Sequence, residues 1–245
     1  REKPSRQFFI SRDNNSNRFV LSNTNVPSSF STTKPFSYSD ELLIDLLQDT
    51  LKKEVVLLKD YPRTSDLMTL NSASRNIVLR EMMLPSDNFL AEHLTMLASD
   101  RLYNGFFTDS LRNVLQRDYY QSFPDTVELR DGSGLSAYNK VSPRTMIELL
   151  LTINKEVGDE FQRNMFFPTG GIDGTLRSAY SLDQGVPFVW AKTGTLNAVH
   201  CQSGYIVTRS GKRYAFSFLN NNYMISTATV RREMVKIVTF IRQNY

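Results

Sequence analysis

The chain has one cysteine and two histidines in 245 residues, and that scarcity removes several classes of protein at once. Cys201 alone makes no internal disulfide framework and leaves the redox compartment unspecified. His93 and His200 lie far apart in sequence, and with a single thiol they form no metal-ligand spacing. No metal and no cofactor are expected. No stretch reaches the roughly 18–20 consecutive apolar residues that a membrane span needs. Basic and acidic residues nearly balance, 29 against 25, and no Lys/Arg run suggests a nucleic-acid groove, so no nucleic-acid partner is expected. The opening REKPSRQ has no charged-then-apolar leader pattern and no initiator Met, as expected of a processed or truncated product.

What is present is an ordinary globular composition, 40% hydrophobic and 22% charged, with length enough for one large or two small domains. Residues 1–39 are polar and rich in Ser, Asn and Thr. Two short apolar runs there, QFFI and RFVL, flank SRDNNSN and predict a hairpin. Ser39 or Asp40 caps a helix whose stripe is Leu42, Leu43, Leu46, Leu47 and Leu51. EVVLLK at 54–59 reads as a short strand. Helices are expected over 74–83 and from Phe89 onward, broken by LPSDN, with a further helix and loop between 105 and 125. VELRDGSGLS runs from a strand-like piece into a glycine turn. Ser142-Pro143 then opens a strongly periodic helix. PFVWAKTGTL, AVHCQSGYIVT and RYAFSFLNNN read as strands, RSGK as the hairpin joining the last two, and the chain closes on an amphipathic helix. Helices followed by an antiparallel meander and a helix indicate α+β or mixed α/β.

Three short motifs carry the chemistry. Ser86-Asp87-Asn88 sits at the break between two helices, Lys192-Thr193-Gly194-Thr195 on an edge-like strand, and Asp131 to Ser136 forms DGSGLS. Each alone is an ordinary turn or cap; together and in this order they suit acyl transfer by a serine. Lys192, Thr193 and Thr195 supply a cation and hydroxyls for a substrate carboxylate. Gly194 lets a substrate lie against the strand backbone, and the Thr195 N–H can meet a developing oxyanion. Ser86 can relay a proton to the leaving group, and Asn88 can donate to a substrate amide and hold a neighbouring lysine. Asp131 and Ser133 are expected to hold a loop beside the cleft, as are Asp173, Gly174 and Thr175. Glu92 is expected to make a structural ion pair or hydrogen bond. His93, His200, Cys201 and Trp190 are read as structural.

MMLPSDNFLAEHLTML, RDGSGLSAYNKVSPRTMIELL, GGIDGTLRSAY, AKTGTLNAV and SGYIVTRSGKRYAFSFLNN together resemble the serine penicillin-binding proteins of the DacB type, the low-molecular-mass class C D-alanyl-D-alanine carboxypeptidase/endopeptidases. The resemblance spans about residues 36–245. It implies an α/β serine transpeptidase/β-lactamase-like fold, an antiparallel sheet flanked by helices with an all-helical subdomain. It also implies attack by a serine on D-Ala-D-Ala stem peptides or crosslinks of peptidoglycan through an acyl-enzyme, acylation by β-lactams, and a periplasmic or cell-envelope location.

The nucleophile of such a site comes as S-x-x-K. Ser31 and Lys34 in FSTTKPF have that spacing, but Pro35 pushes Lys34 toward extended backbone, and no apolar helix continues from Ser31. Ser31 is therefore read as a decoy. The resemblance places the S-x-x-K motif upstream, beyond large inserted domains, with residues 1–35 as the tail of the insert and linker and 36–245 as the C-terminal part of the catalytic domain. The missing N-terminal segment is then a partner of this chain, and without its helix apolar surface is expected on the all-helical side. The rivals are a complete β-lactamase or esterase using Ser31/Lys34, and a non-catalytic peptidoglycan-binding module.

Overall fold

The computed structural model describes residues 9–22, 26, 28–60 and 71–245. The chain divides into two compact units, residues 1–70 and 71–245. In the first, β1 (Ile10–Arg12) and β2 (Phe19–Leu21) pair antiparallel as the hairpin expected from the two apolar runs; Gln7 and Phe8 of the first run lie outside the described residues. The helix α1 (Asp40–Leu51) begins where Ser39 accepts from the Leu42 N–H, an N-cap that supplies one of the first turn's orphan donors with a partner. The strand expected at 54–59 is absent. Val56, Leu57 and Leu58 are exposed, and no strand among the described residues pairs with them. Apolar β-branched residues do not make a strand without a ladder to satisfy their backbone.

The second unit holds the remaining elements. Helices α2 (Arg75–Met83) and α3 (Asn88–Tyr103) flank the Ser86 turn, and α4 (Thr108–Leu115) runs into a π-helical turn at Gln116–Tyr120. The strand-like piece before the glycine turn contributes only one bridge, Glu128 with Lys140. In α5 (Pro143–Val157), Ser142 caps by accepting from Thr145 N–H, and Pro143 occupies the first turn. A short α6 (Glu160–Met165), not anticipated from periodicity, is capped by Asp159.

The sheet is β3 (Val189–Leu196), β4 (Val199–Val207) and β5 (Arg213–Asn221), antiparallel in the order β3-β4-β5. Side chains alternate between its faces. On one face Val189, Ala191 and Ile206 are buried with Leu176, Tyr180 and Val238, the last from the closing helix α7 (Thr227–Asn244). On the other, Tyr205 packs with Leu150 of α5 and Phe167, against Trp190 and Met83. Trp190 is thus a core residue, as read from sequence.

Asp183 ties the end of α7 to the sheet. Its carboxylate accepts from Arg209 at 2.8 and 3.0 Å and from Arg242 at 2.9 Å. The Arg209 hydrogen bond, and then that of Arg242, lower its carboxyl to about 2 from the ordinary 3.8. The bound, ionised form contributes stability above about pH 4 that is lost as the pH falls toward 2. Asp183→Asn is expected to lower the thermal midpoint at neutral pH and to matter progressively less below about pH 4. Thermal unfolding of both chains across that range checks it, and a constant offset at every pH would count against the tie.

Candidate active site

The chain between α2 and α3 is shaped to present one hydroxyl. Leu84 N–H bonds back to Arg80 O, and Asp87 N–H to Met82 O at 2.8 Å. Asp87 then caps α3 by accepting from Leu90 N–H at 2.9 Å. Between these anchors Ser86 takes φ +63°, the left-handed region that a serine enters at a cost of ~1–3 kcal/mol. Asn88 opens α3 and is exposed.

Lys192, on the α5 face of β3, reaches this turn. Its ammonium donates to Ser86 Oγ at 2.6 Å and to Thr193 O at 2.7 Å. Burial lowers its pKa from the ordinary 10.5 to about 8, because the charged form is the one that loses solvation. A buried amine with a pKa near 8, bonded to a serine hydroxyl, can pass a proton in either direction near neutrality.

The outer edge of β3 is half covered. Gly170 N–H donates to Val189 O, and Ala191 N–H to Pro168 O. On the other side Val207 N–H donates to Phe188 O. The ladder alternates, so Thr193 and Thr195 turn their N–H and C=O groups to the same outer edge as Val189 and Ala191, beyond the covering segment. Gly194 lies between them, and a Cβ there would meet nothing within 4 Å. This open edge can accept an extended peptide by backbone pairing.

The GGIDGT segment braces that edge. Asp173 accepts from Thr169 N–H at 2.7 Å, and Arg80 lies 3.6 Å from its other oxygen. Gly174, at φ +53°, leaves no room for a side chain: a Cβ would stand 2.7 Å from Leu84 O and 3.0 Å from Pro168 Cβ. Thr193 Oγ1 donates to Thr175 Oγ1 at 2.8 Å. The loop expected to support the cleft therefore touches both the helix break and the Lys-Thr-Gly strand.

The DGSGLS loop is held to α3. Glu92 accepts from Ser133 N–H at 2.9 Å and Gly132 N–H at 3.2 Å. The Ser133 side chain first, then these backbone amides, hold its carboxyl below the ordinary value. Asp131 closes the loop on itself by accepting from Gly134 N–H, Ser136 N–H and Asn139 Nδ2. Glu92 makes the hydrogen bond anticipated for it, and Ser133 bonds to Glu92 beside the helix break.

Thr193 and Thr195 point to the α7 face, away from Lys192. Thr195 Oγ1 is 2.8 Å from His200 Nδ1 and 3.4 Å from Arg231 Nη2. His200 is buried, as expected of a structural histidine. His93 bonds its own helix at Phe89 O. Cys201 is half-buried, and burial pushes its thiol up. Among the described residues no group of His, Cys, Asp and Glu is arranged to hold a metal ion, and no helix is long and apolar enough to cross a membrane. Ser31 and Lys34 lie in the first unit, exposed and without helical backbone. The shared helical turn that S-x-x-K requires is not formed there. Sequence reading gave no role to Arg231 or Arg80, whose signals were single cations on amphipathic helices.

An antiparallel sheet with Lys-Thr-Gly on its edge, facing Ser-Asp-Asn at a helix break, defines the class: an α/β fold of the serine transpeptidase/β-lactamase kind. The chain belongs to the D-Ala-D-Ala carboxypeptidase 3 (S13) family, whose profile matches residues 3–244. It is 30% identical over 198 residues to D-alanyl-D-alanine carboxypeptidase DacB of Haemophilus influenzae, covering 78% of this chain and 41% of that protein. It is 27% identical over 151 residues to carboxypeptidase DacB of Mycolicibacterium smegmatis, covering 59% of this chain and 33% of that one. The crystal structure of penicillin binding protein 4 (dacB) from Haemophilus influenzae, complexed with a β-lactam, superposes with a TM-score of 0.70 at 24% identity. That match covers 97% of this chain and 58% of the other. The matched stretches thus cover less than half of the length of these two carboxypeptidases.

Lys192→Met keeps the stem and removes the buried charge. It is expected to stabilise the chain at neutral pH by ~1–2 kcal/mol, after the lost hydrogen bonds offset part of the desolvation gain. The gain should shrink as the pH rises from about 8 to 10.5, where folding itself favours the neutral amine. Urea unfolding at several pH values measures it, and a destabilised variant throughout that range would contradict the assigned burial.

Proposed function

We propose that this chain is the C-terminal part of a penicillin-binding serine D-Ala-D-Ala carboxypeptidase/endopeptidase acting on peptidoglycan stem peptides. The observation that carries the reading is the 2.6 Å contact joining Lys192 of the sheet edge to Ser86 of the helix break. The nucleophile and its S-x-x-K lysine come from an N-terminal segment of the same protein. The serine Oγ attacks the carbonyl of the penultimate D-Ala, the C–N bond to the terminal residue breaks, and water hydrolyses the acyl-enzyme. Ser86 and Lys192 carry the proton to the departing amine. The Thr195 N–H on the open edge stabilises the oxyanion, Asn88 donates to the substrate amide, and Thr193, Gly194 and Thr195 align the peptide. Asp131 and Ser133 support these groups through their loop.

Two further features support a segment completing the helical side. The helix α2 buries no residue and α3 only Ser99, while Ile77, Phe89 and Leu97 are exposed. Exposed apolar side chains of this kind suit a further helix packed upon them. Residues 1–35 are the tail of an inserted domain and linker, and 36–245 the C-terminal part of the catalytic domain. The protein works in the periplasm or cell envelope, and β-lactams acylate the serine of the complete enzyme.

Intact mass spectrometry after incubation with excess penicillin tests this. The folded 245-residue chain is expected to keep its mass, while the complete protein gains one adduct that maps to an upstream S-x-x-K serine and releases D-Ala from a D-Ala-D-Ala peptide. An adduct on Ser31 would replace the proposal with a compact acyl-transferase.

A further inference from the structure

Lys192 cannot serve both as the proton-transfer partner of Ser86 and as the cation for a substrate carboxylate held by Thr193 and Thr195. Neighbouring residues of a strand face opposite ways. The Lys192 ammonium is committed on the α5 face to Ser86 Oγ and Thr193 O. The two threonine hydroxyls lie on the α7 face, where another cation stands. Arg231, in the first turns of α7, is exposed and places Nη2 3.4 Å from Thr195 Oγ1. Its helix neighbours are engaged: Arg232 and Lys236 both pair with Glu233, at 3.7 and 2.8 Å. No carboxylate among the described residues pairs with Arg231.

We infer that Arg231 is the carboxylate-recognition cation of this site, acting with Thr195 on the free C-terminal carboxylate of a peptide laid along β3. The assignment rests on the function proposed above and names the residue that distinguishes a peptide end from a continuing chain.

The hydrogen-bond bookkeeping at Thr195 agrees with such a role. A guanidinium only donates, so Thr195 Oγ1 accepts from Arg231. In the tautomer with a proton on Nδ1, His200 donates to the same oxygen at 2.8 Å, leaving the hydroxyl proton for an acceptor at the open edge. The strand backbone that carries this histidine is tied to β5, since Asn220 Nδ2 donates to the His200 main-chain O at 3.0 Å. A carboxylate beyond Gly194 would then meet one hydroxyl donor and one guanidinium, the geometry in which Arg is most selective for carboxylates. A blocked or continuing peptide offers that guanidinium no charge.

The test compares hydrolysis of an acyl-D-Ala-D-Ala peptide with that of its C-terminal carboxamide by the complete protein, wild type, Arg231→Gln and Arg231→Lys. The wild type is expected to prefer the free acid. In Arg231→Gln the acid-over-amide ratio of kcat/KM should fall about tenfold or more, mainly through KM, with Arg231→Lys between the two. Circular dichroism establishes that each variant is folded, and the lysine variant carries the comparison if the glutamine one is not. A folded variant that keeps the wild-type ratio, or a wild type that hydrolyses peptides without preferring the acid, overturns the assignment. A wild type that hydrolyses neither peptide overturns the proposed function itself, and the assignment with it.

Discussion

The Lys192 ammonium sits 2.6 Å from Ser86 Oγ and 2.7 Å from Thr193 O, and the rest of the site is arranged so that a buried charge can be held there. The helix break must place a serine hydroxyl at the end of the lysine stem, which it does by forcing Ser86 into left-handed backbone between the end of α2 and the Asp87 cap. The strand must bring the stem through partly buried space beside Trp190 without letting water surround the amine. Desolvation then makes the neutral form accessible near physiological pH. The result is a proton-transfer pair whose position is set by backbone geometry on both sides.

A two-residue period in one strand sorts the functions. Even positions of β3 face α5 and the helix break, so Lys192 joins Ser86. Odd positions face α7, so Thr193 meets Thr175 and Thr195 meets His200 and Arg231. The outer backbone edge is covered by Pro168–Gly170 only as far as Ala191. Gly194 keeps the remainder clear. Proton transfer, hydroxyl and cation contacts, and backbone pairing are therefore carried by four consecutive residues.

Much of this was legible in sequence, and the failures have separate physical causes. The meander, the Ser142-Pro143 helix start and the Ser39 cap were readable because each depends on local periodicity or one capping side chain. Ser86, Lys192 and the Asp131 loop were readable as motifs. EVVLLK failed as a strand because a strand needs a partner, which its own residues cannot supply. The grouping of Lys192 with Thr193 and Thr195 as one carboxylate-holding set overlooked the alternation of strand faces, although the period of two is itself visible in sequence. Arg231 and Arg80 were invisible for another reason. The Arg231 partner Thr195 and the Arg80 partner Asp173 lie far away in sequence, and on a helix surface such an arginine looks like any solvated charge.

The most direct measurement is a pH titration of the Lys192 side-chain nitrogen by heteronuclear NMR in the folded 245-residue chain, with the signal assigned by its loss in Lys192→Arg. A midpoint near 8 would establish a desolvated amine poised for proton exchange with Ser86. A midpoint at the ordinary lysine value of 10.5 would mean that the amine is solvated, and would contradict the account of the site built upon it.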